Sequence, residues 1–463
     1  MTRAIPEVTA CLASYIHSTR LSDIPEDVRA QARLAISDSL ATLIAGLQEP
    51  SVRLLREVIS LESRDGSSSV LGCNRQLSAT GASFINAATA HALDYDNISL
   101  IVSGFVGTPV LFSLLALAEQ HGIGGQKLLE AYIVGWETES AIARGVGVAH
   151  YAGGWHATAT LGHFGAAAAC AKLLDFNERQ IRYALGFAAT DASGIRTMTG
   201  NMTNPYHLGK AARCGPLATA LIERGFTAHE AALENDWGFC NAFNGQGNYD
   251  LNAIVEAIGS PYDLVFPGLV IKMYPCCALI HSTLDGVADL MREHNLKPAQ
   301  VKRARIAVHD LVLKTMDRPR PATAYEGKFC APFCVALGIR NGGVRLKDFS
   351  DASIADPEIL GLMDRIEVKV HPDLTTLDTF LEREFSDVAF DLVDGRTVSC
   401  RVWRVANRGS RGRPATAADM QAKFADAVAD YGQRQQALDA LESVARIEDM
   451  ADIRSLTGAL RGV

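Results

Sequence analysis

The chain has 463 residues, of which 48% are hydrophobic and 21% charged, so it can bury at least one large core and is predicted to fold as two domains. Its formal net charge of −8 is spread along the sequence, which argues against the basic footprint of a nucleic-acid-binding protein. An anionic substrate would therefore need a local positive site.

The apolar segments are too short to cross a membrane. The longest one near the middle, residues 106–118, is interrupted by Pro109 and Ser113. At the N-terminus, Pro6 and Glu7 fall where the apolar core of a signal peptide would begin. We therefore expect a cytoplasmic protein without a membrane span.

The ten cysteines are too sparse for a disulfide scaffold and are predicted to be reduced, buried thiols. No CxxC pair occurs, and the nearest patterns are Cys276-Cys277 and the more widely spaced Cys330 and Cys334. We predict no metal site.

The first half of the chain repeats apolar residues at helical spacing. Over residues 27–44, positions such as Val28, Ala32 and Ala35 recur at intervals of three and four, and Gly46 follows as a stop. The same spacing predicts helices over residues 79–93, 107–120, 125–145, 160–174 and 178–193. The first half is therefore predicted to be an all-helical bundle.

The pattern changes after about Pro261. Alternating apolar positions predict strands over residues 303–309, 366–371, 387–393 and 397–405, and Asp394-Gly395 predicts a hairpin between the last two. These runs indicate a small antiparallel sheet. Helices are expected at 276–293 and 331–341, and a helical tail at 416–460. Residues 407–414 are predicted to be a solvated, mobile linker.

His156 is the first candidate for chemistry. It follows Gly153-Gly154-Trp155 and precedes a helix of small residues, so its imidazole can reach a cleft beside a helix N-terminus. A capped or core histidine explains the same position equally well. His163 lies two turns further along, too far for the i, i+4 spacing of a helical zinc pair, and is predicted to be a core residue.

A second candidate lies at the end of the helix that contains His91. The i, i+3 spacing brings His91 and Asp94 to one face, where they can share a hydrogen bond. Asp94 is compatible with a functional or a structural role. Asp96 and Asn97 are expected to end the helix through local backbone bonds.

Two further segments are predicted to bind anions. Asn204 is the predicted N-cap of a helix that begins at Pro205, with Arg196 and Lys210 nearby, although charges on a helix often form only a solvated face. Lys272 precedes a second helix predicted to begin at Pro275, and its apolar neighbours favour a functional role for it.

Several segments together resemble the MmgE/PrpD family over nearly the whole chain. They are HALDYDN at 91–97, GWHATATLG at 154–162, ALGFAATDASGIR at 184–196, MTNPYHLGKAAR at 202–213, IKMYPCCALIH at 271–281 and GKFCAPFCVA at 327–336. No GxSxG, P-loop, HExxH or post-strand GxGxxG motif competes with this interpretation.

The resemblance implies a mainly α fold with a smaller α+β domain. The large helical domain would comprise residues 1–265 plus 406–463, and residues 266–405 would form a small antiparallel-sheet lid. It also implies a homodimer with a cleft in which a small polycarboxylate loses a proton next to a carboxylate, without a cofactor.

By position in the matching segments, the resemblance implies that the catalytic residues are His156, Asp94 and Lys272. The residues predicted to bind substrate are Asn204, His207, Arg196, Tyr274 and His281.

The sequence departs from the family pattern at three positions. Phe105 lies in a segment where a family histidine is missing, Asn204 replaces a lysine, and Phe333 replaces a tyrosine. Because each carboxylate usually needs a charge-assisted partner, a smaller or different substrate is expected.

Three functions remain open from the sequence. The first is a lyase of the dehydratase type, in which His156 moves the proton, Asp94 assists it, and Lys272 with the helix N-terminus at Asn204 holds carboxylates. The second is an epimerase of a dicarboxylate that uses Lys272 and His156 on opposite faces of one carbon. The third is a carboxylate-binding paralogue without catalysis.

Overall fold

The computed structural model describes residues 5–316, 318–377, 380 and 383–462. Its helices are α1 Val8–Ser18, α2 Glu26–Gly46, α3 Pro50–Glu62, α4 Ala79–His91, α5 Gly107–His121, α6 Gly125–Ala152, α7 Ala157–Leu173, α8 Glu178–Asp191, α9 Thr203–Ile222, α10 Phe239–Asn244, α11 Leu251–Glu256, α12 His281–Glu293, α13 Asp310–Thr315, α14 Ala324–Gly327, α15 Ala331–Asn341, α16 Asp351–Ile354, α17 Pro357–Met363, α18 Ala417–Ala427, α19 Arg434–Ser443 and α20 Arg454–Ala459. No helix in these ranges is long and apolar enough to cross a membrane.

The strands are β1 Ser68–Val70, β2 Arg75–Leu77, β3 Ile98–Ser99, β4 Leu269–Val270, β5 Val301–Val308, β6 Ile366–Val370, β7 Phe385–Leu392 and β8 Thr397–Trp403. The largest sheet has the order β6-β5-β7-β8. The mainly α fold with a smaller α+β part is therefore confirmed.

Two details of the sheet prediction are wrong. The sheet is mixed rather than antiparallel, because β5 and β6 are parallel and are joined by a long connection that contains helices α13 to α17. The first half is not purely helical, since β1 pairs with β2, and β3 pairs with β4 from beyond the bundle. Strands of two or three residues are too short to show a period.

Small residues let the central helices approach closely. Every residue of α7 is buried, and α7 packs against α6 and α9. A Cβ added at Gly135 on α6 would lie 2.7 Å from the Cβ of Ala169 on α7, so only glycine fits there. The alanine- and glycine-rich sequence thus builds a tight frame behind the site.

Helix α6 is longer than the sequence predicts. It continues past residue 145 to Ala152 through a kink at Gly147, whose φ of 62° and ψ of −174° are not helical. Gly147, two residues beyond the predicted end, lets the helix change direction and continue.

The apolar core forms two main clusters. The first draws residues from Val8 to Ile271 and again from Met420 to Leu460, and the second runs from Tyr274 to Leu392. The C-terminal tail is broken into α18, α19 and α20, of which α18 and α19 pack against α2, and α20 packs against α5. The division into 1–265 plus 406–463 and 266–405 remains our proposal, which this clustering supports.

The predicted linker at 407–414 is packed over residues 407–410, so the prediction that it is solvated is wrong for this half. Asn407 and Ser410 are buried, and the Arg408 backbone N–H donates to the Asp285 carboxylate at 2.6 Å. The Arg408 side chain also pairs with Asp419 at 2.6 Å. Composition alone could not reveal these distant acidic partners.

Candidate active site

A narrow, partly open cavity of about 60 Å³ lies where the two core clusters meet. Its walls include Asp94, Phe105, His156, Cys277, Phe380 and Arg404. The first three belong to the part of the chain before residue 265, and the others follow it. Residues far apart in the sequence therefore face one space.

His156 is fixed at the entrance to α7, as the sequence predicts. Gly154 has a φ of 102°, which favours glycine, and its carbonyl accepts the backbone N–H of Arg196 at 2.9 Å. The His156 N–H donates in turn to the carbonyl of Gly194 at 3.0 Å. These two bonds hold the loop, so the imidazole enters the cavity wall while only 7% exposed.

His156 and His207 contact each other through their rings. Their Nδ1 atoms lie 3.0 Å apart, so one nitrogen carries a proton and the other accepts it. Burial, followed by the nearby His207, lowers the pKa of His156 well below its usual value. Burial also lowers the pKa of His207 to about 4. Both rings are therefore neutral at neutral pH.

Asp94 and Lys272 form a buried ion pair. Asp94 follows α4 with a φ of 51°, an uncommon backbone conformation for a residue other than glycine. The Lys272 Nζ lies 3.0 Å from Asp94 Oδ1 and donates to the Asp94 carbonyl at 2.5 Å. This lysine thus holds both the charge and the backbone of Asp94. Asp94 lines the cavity, whereas Lys272 is absent from the described residues of its wall.

The predicted side-chain hydrogen bond between His91 and Asp94 is wrong, and the two residues are joined only by the Asp94 backbone N–H, which donates to the His91 carbonyl at 2.9 Å. His91 Nδ1 instead lies 2.8 Å from Asp96 Oδ1, and the Thr108 hydroxyl donates to Asp96 Oδ2 at 2.6 Å. Asn97 also makes tertiary rather than local bonds, donating to the Ala35 carbonyl at 3.1 Å. Helical spacing failed here because Asp94 lies beyond the end of the helix, where it pairs with Lys272.

Asn204 lies in the first turn of α9 rather than at its N-cap. The helix begins at Thr203, and Asn204 Nδ2 lies 3.0 Å from His91 Nε2. The prediction of an N-cap at Asn204 with Pro205 first is wrong, because the Asn204 side chain bonds a neighbouring helix instead of its own backbone. Asn204 nevertheless lines the cavity.

The predicted helix start at Pro275 is also wrong. A short turn at Ala278–Ile280 precedes α12, which begins at His281. The Tyr274 hydroxyl donates to Asp285 Oδ1 at 2.7 Å, and His281 Nε2 lies 3.2 Å from the Cys276 carbonyl. Both side chains hold the segment that follows Lys272, and neither belongs to the described wall of the cavity.

Arg196 lies behind Tyr151, a residue of the cavity wall. Its guanidinium stacks 3.6 Å from the Tyr151 ring centre and donates to the Tyr151 carbonyl at 3.0 Å. It also donates to the Thr315 hydroxyl at 2.6 Å. Arg196 therefore joins the two parts of the wall.

Arg404 is a wall residue that the sequence interpretation missed. It is 4% exposed, pairs with Glu384 at 2.5 Å and lies 4.9 Å from the Phe380 ring centre. It follows β8, and nothing in its local sequence distinguishes it from the other arginines nearby. Only the tertiary structure brings it into the wall of the same cavity as His156.

The comparisons with known proteins agree with these segments. Residues 10–252 match the MmgE/PrpD N-terminal domain, and residues 274–449 match the MmgE/PrpD C-terminal domain. The chain belongs to the MmgE/PrpD family, which confirms the resemblance.

Its relatives include cis-aconitate decarboxylase from Homo sapiens, 24% identical over 99% of this chain and 95% of that protein. Cis-aconitate decarboxylase from Aspergillus terreus is 27% identical over 78% of this chain and 77% of its own length. A probable 2-methylcitrate dehydratase from Saccharomyces cerevisiae is 21% identical over 77% of this chain and 72% of its own length.

Proposed function

We propose that this protein is a cofactor-independent lyase that transfers a proton at a carbon next to a carboxylate of a small di- or tricarboxylate. The observation that carries the proposal is that a buried, neutral histidine, His156, and a buried carboxylate, Asp94, line one cavity. The relatives, named as decarboxylases and a dehydratase, support the lyase class. Dehydration is our leading reaction.

His156 moves the proton. If its Nδ1 carries a hydrogen and donates to His207 Nδ1, the lone pair lies on His156 Nε2, the ring nitrogen away from His207. A neutral imidazole with a lowered pKa is available as a base at neutral pH. His207 then selects the tautomer that works, without contacting the reacting carbon.

Asp94 serves as the partner acid or base, and its ion pair with Lys272 keeps the carboxylate in place. This assignment differs from a direct role of Lys272 on substrate, because Lys272 pairs with Asp94 and is not among the described residues that line the cavity. The epimerase alternative requires Lys272 and His156 to face the same carbon, so this arrangement favours it less.

Substrate carboxylates are assigned to Arg404 and to the N-terminus of α7. Arg404 donates one N–H to Glu384 and has further donors. The first turn of α7 follows His156, and the positive end of the helix dipole favours an anion there. Asn204 contacts substrate directly, and we assign Arg196, Tyr274 and His281 to holding the segments around it.

Proton NMR in D₂O with a panel of di- and tricarboxylates tests the proposal. New olefinic signals from a hydroxy acid indicate dehydration, and loss of carbon dioxide from cis-aconitate indicates decarboxylation. Exchange without net turnover would indicate epimerisation. Silence across the panel would favour the non-catalytic paralogue and contradict the lyase.

The variant His156→Ala should lower turnover at least about 100-fold, the usual contribution of a positioned acid or base. His121→Ala is the matched control, since His121 is an exposed histidine at the end of α5. Full activity of His156→Ala on a substrate found in the panel would show that the mechanism is wrong.

A further inference from the structure

Two residues that line the cavity each carry a buried oxygen atom without a hydrogen-bond partner in the described structure. The two atoms are Asp94 Oδ2 and Asn204 Oδ1, and both residues are 3% exposed. An ionised carboxylate and an amide oxygen only accept hydrogen bonds. A buried acceptor without a partner is unfavourable, so a ligand that supplies a donor relieves the deficit at this wall.

A buried chain of hydrogen bonds sets which way the Asn204 amide points. Asp96 accepts from the Thr108 hydroxyl and from Nδ1 of His91, which places the His91 proton on Nδ1. The lone pair of His91 Nε2 then accepts the Nδ2–H of Asn204 at 3.0 Å. The Asn204 oxygen is consequently the amide atom left for a ligand.

Nearby donors do not satisfy both oxygen atoms. Lys272 contacts Asp94 Oδ1 and the Asp94 carbonyl, not Oδ2. The buried Tyr325 hydroxyl interacts with the Asn204 side chain, and burial raises the pKa of Tyr325, so it keeps its single proton. One hydroxyl proton leaves at least one acceptor for the ligand.

We propose that Asn204, together with Asp94, determines substrate specificity by accepting a hydrogen bond from an O–H or N–H group on the carbon skeleton of a small polycarboxylate. A carboxylate at the same position would place acceptors against acceptors, one of them charged, and is disfavoured. The inference rests on the proposed function and selects, within it, hydroxy- or amino-substituted acids over unsubstituted ones. Thr108, Asp96 and His91 are positioning residues that act through Asn204.

Calorimetric binding to the wild-type protein tests the preference without turnover. Citrate and tricarballylate differ by one hydroxyl, and citrate is expected to bind at least tenfold more tightly. Malate and aspartate, each compared with succinate, separate a hydroxyl donor from an ammonium donor. Equal binding with and without the donor in both series would overturn the proposal.

Variants of Asn204 assign the preference to this residue. Asn204→Leu should remove most of the preference for citrate over tricarballylate. Asn204→Lys should remove it as well, because an ammonium group only donates hydrogen bonds and cannot accept one from the ligand hydroxyl. Asn201→Leu changes an exposed asparagine of the same loop and should leave the preference unchanged. Retention of the wild-type preference in Asn204→Leu would contradict the assignment.

Nitrogen-15 NMR of the His91 side chain tests the positioning chain directly. We expect a proton on Nδ1 and a lone pair on Nε2 in the wild type. In Asp96→Asn the fraction of His91 with its proton on Nδ1 should fall, and the preference for citrate over tricarballylate should fall with it. A proton on Nε2 in the wild type would turn the Asn204 amide around and overturn the proposal.

The outcomes also separate this inference from the proposed function. If citrate and tricarballylate bind equally and a hydroxy acid is still turned over, only the proposal that Asn204 accepts a hydrogen bond from the substrate fails. If no polycarboxylate of the panel binds, the proposed function fails and this inference fails with it.

Discussion

At the scale of single residues, contact between His156 and His207 places two neutral rings where an acid or base is needed. Burial is the main reason that the pKa of each ring is lowered, and each ring also lies near other positive groups. A neutral ring is available to accept a proton, and an anionic substrate beside it raises its pKa and makes it a stronger base. The pair is therefore suited to abstracting a proton at neutral pH.

The variant His207→Gln should move the acidic limb of the pH profile of kcat/KM upward. With a lowered pKa, His156 loses its basic form only below its usual value, so the wild type keeps activity below pH 6.5. Removing the neighbouring ring takes away one cause of the lowering, and the limb should rise by roughly 0.5 to 1 unit. His121→Gln is the control, and a limb that stays in place or moves down would contradict the coupling.

At the scale of secondary-structure elements, α18 ties the C-terminal tail to the site. Lys423 on this helix is fully buried and pairs with Asp38 Oδ1 at 2.6 Å. Its Nζ also donates to the carbonyls of Tyr95 and Lys272, each at 2.9 Å. One side chain therefore joins α2, the loop after Asp94 and the segment that carries Lys272.

The variant Lys423→Met should destabilise the protein and reduce activity together. It leaves the buried Asp38 carboxylate without its cation, which typically costs about 3–5 kcal/mol of unfolding free energy. It also releases two backbone segments next to the ion pair of Asp94. Urea unfolding measures the first effect and kcat the second. Lys302→Met, at an exposed position on β5, is the control, and a Lys423→Met protein with wild-type stability would refute this role.

At the scale of the whole molecule, buried titratable groups make stability depend on pH in opposite directions. Burial lowers the pKa of His150 to about 4 and that of His163 to about 3. The unfolded chain binds these protons first, so this part of the stability is present above pH 6.5 and is lost as the pH falls. Burial and Asp263 raise the pKa of Glu137 to about 8, which favours the folded state as the pH falls below 8.

Comparison of the wild type with His150→Gln isolates the contribution of His150 to the pH dependence of the unfolding free energy. Glutamine can keep bonds to Thr160 and Asn244, the partners of His150, but does not titrate. The stability advantage of the wild type over the variant should therefore shrink by roughly 3 kcal/mol between pH 7 and pH 4. Urea unfolding of both proteins over this pH range measures it, and a constant difference would contradict the lowered pKa.

Much of the fold follows from local sequence. The helix α15 has the predicted bounds Ala331–Asn341, and α5 ends at Gly122, whose φ of 64° suits a glycine cap. The Asp394-Gly395 turn joins β7 and β8 as predicted, with a φ of 89° at the glycine. Such features depend on neighbouring residues, so a single sequence is sufficient to predict them. The homodimer and the cytoplasmic location remain predictions.

The sequence by itself determined which segments carry the candidate site, since His156, Asp94 and Asn204 line the cavity. Only the tertiary structure decided their partners. Lys272 pairs with Asp94 from 178 positions away, and His207 contacts His156. Arg404, which follows β8, joins the cavity wall. The physical reason is that spacing along a helix fixes which residues share a face, whereas a buried polar group bonds whatever donor or acceptor the packing brings within about 3 Å.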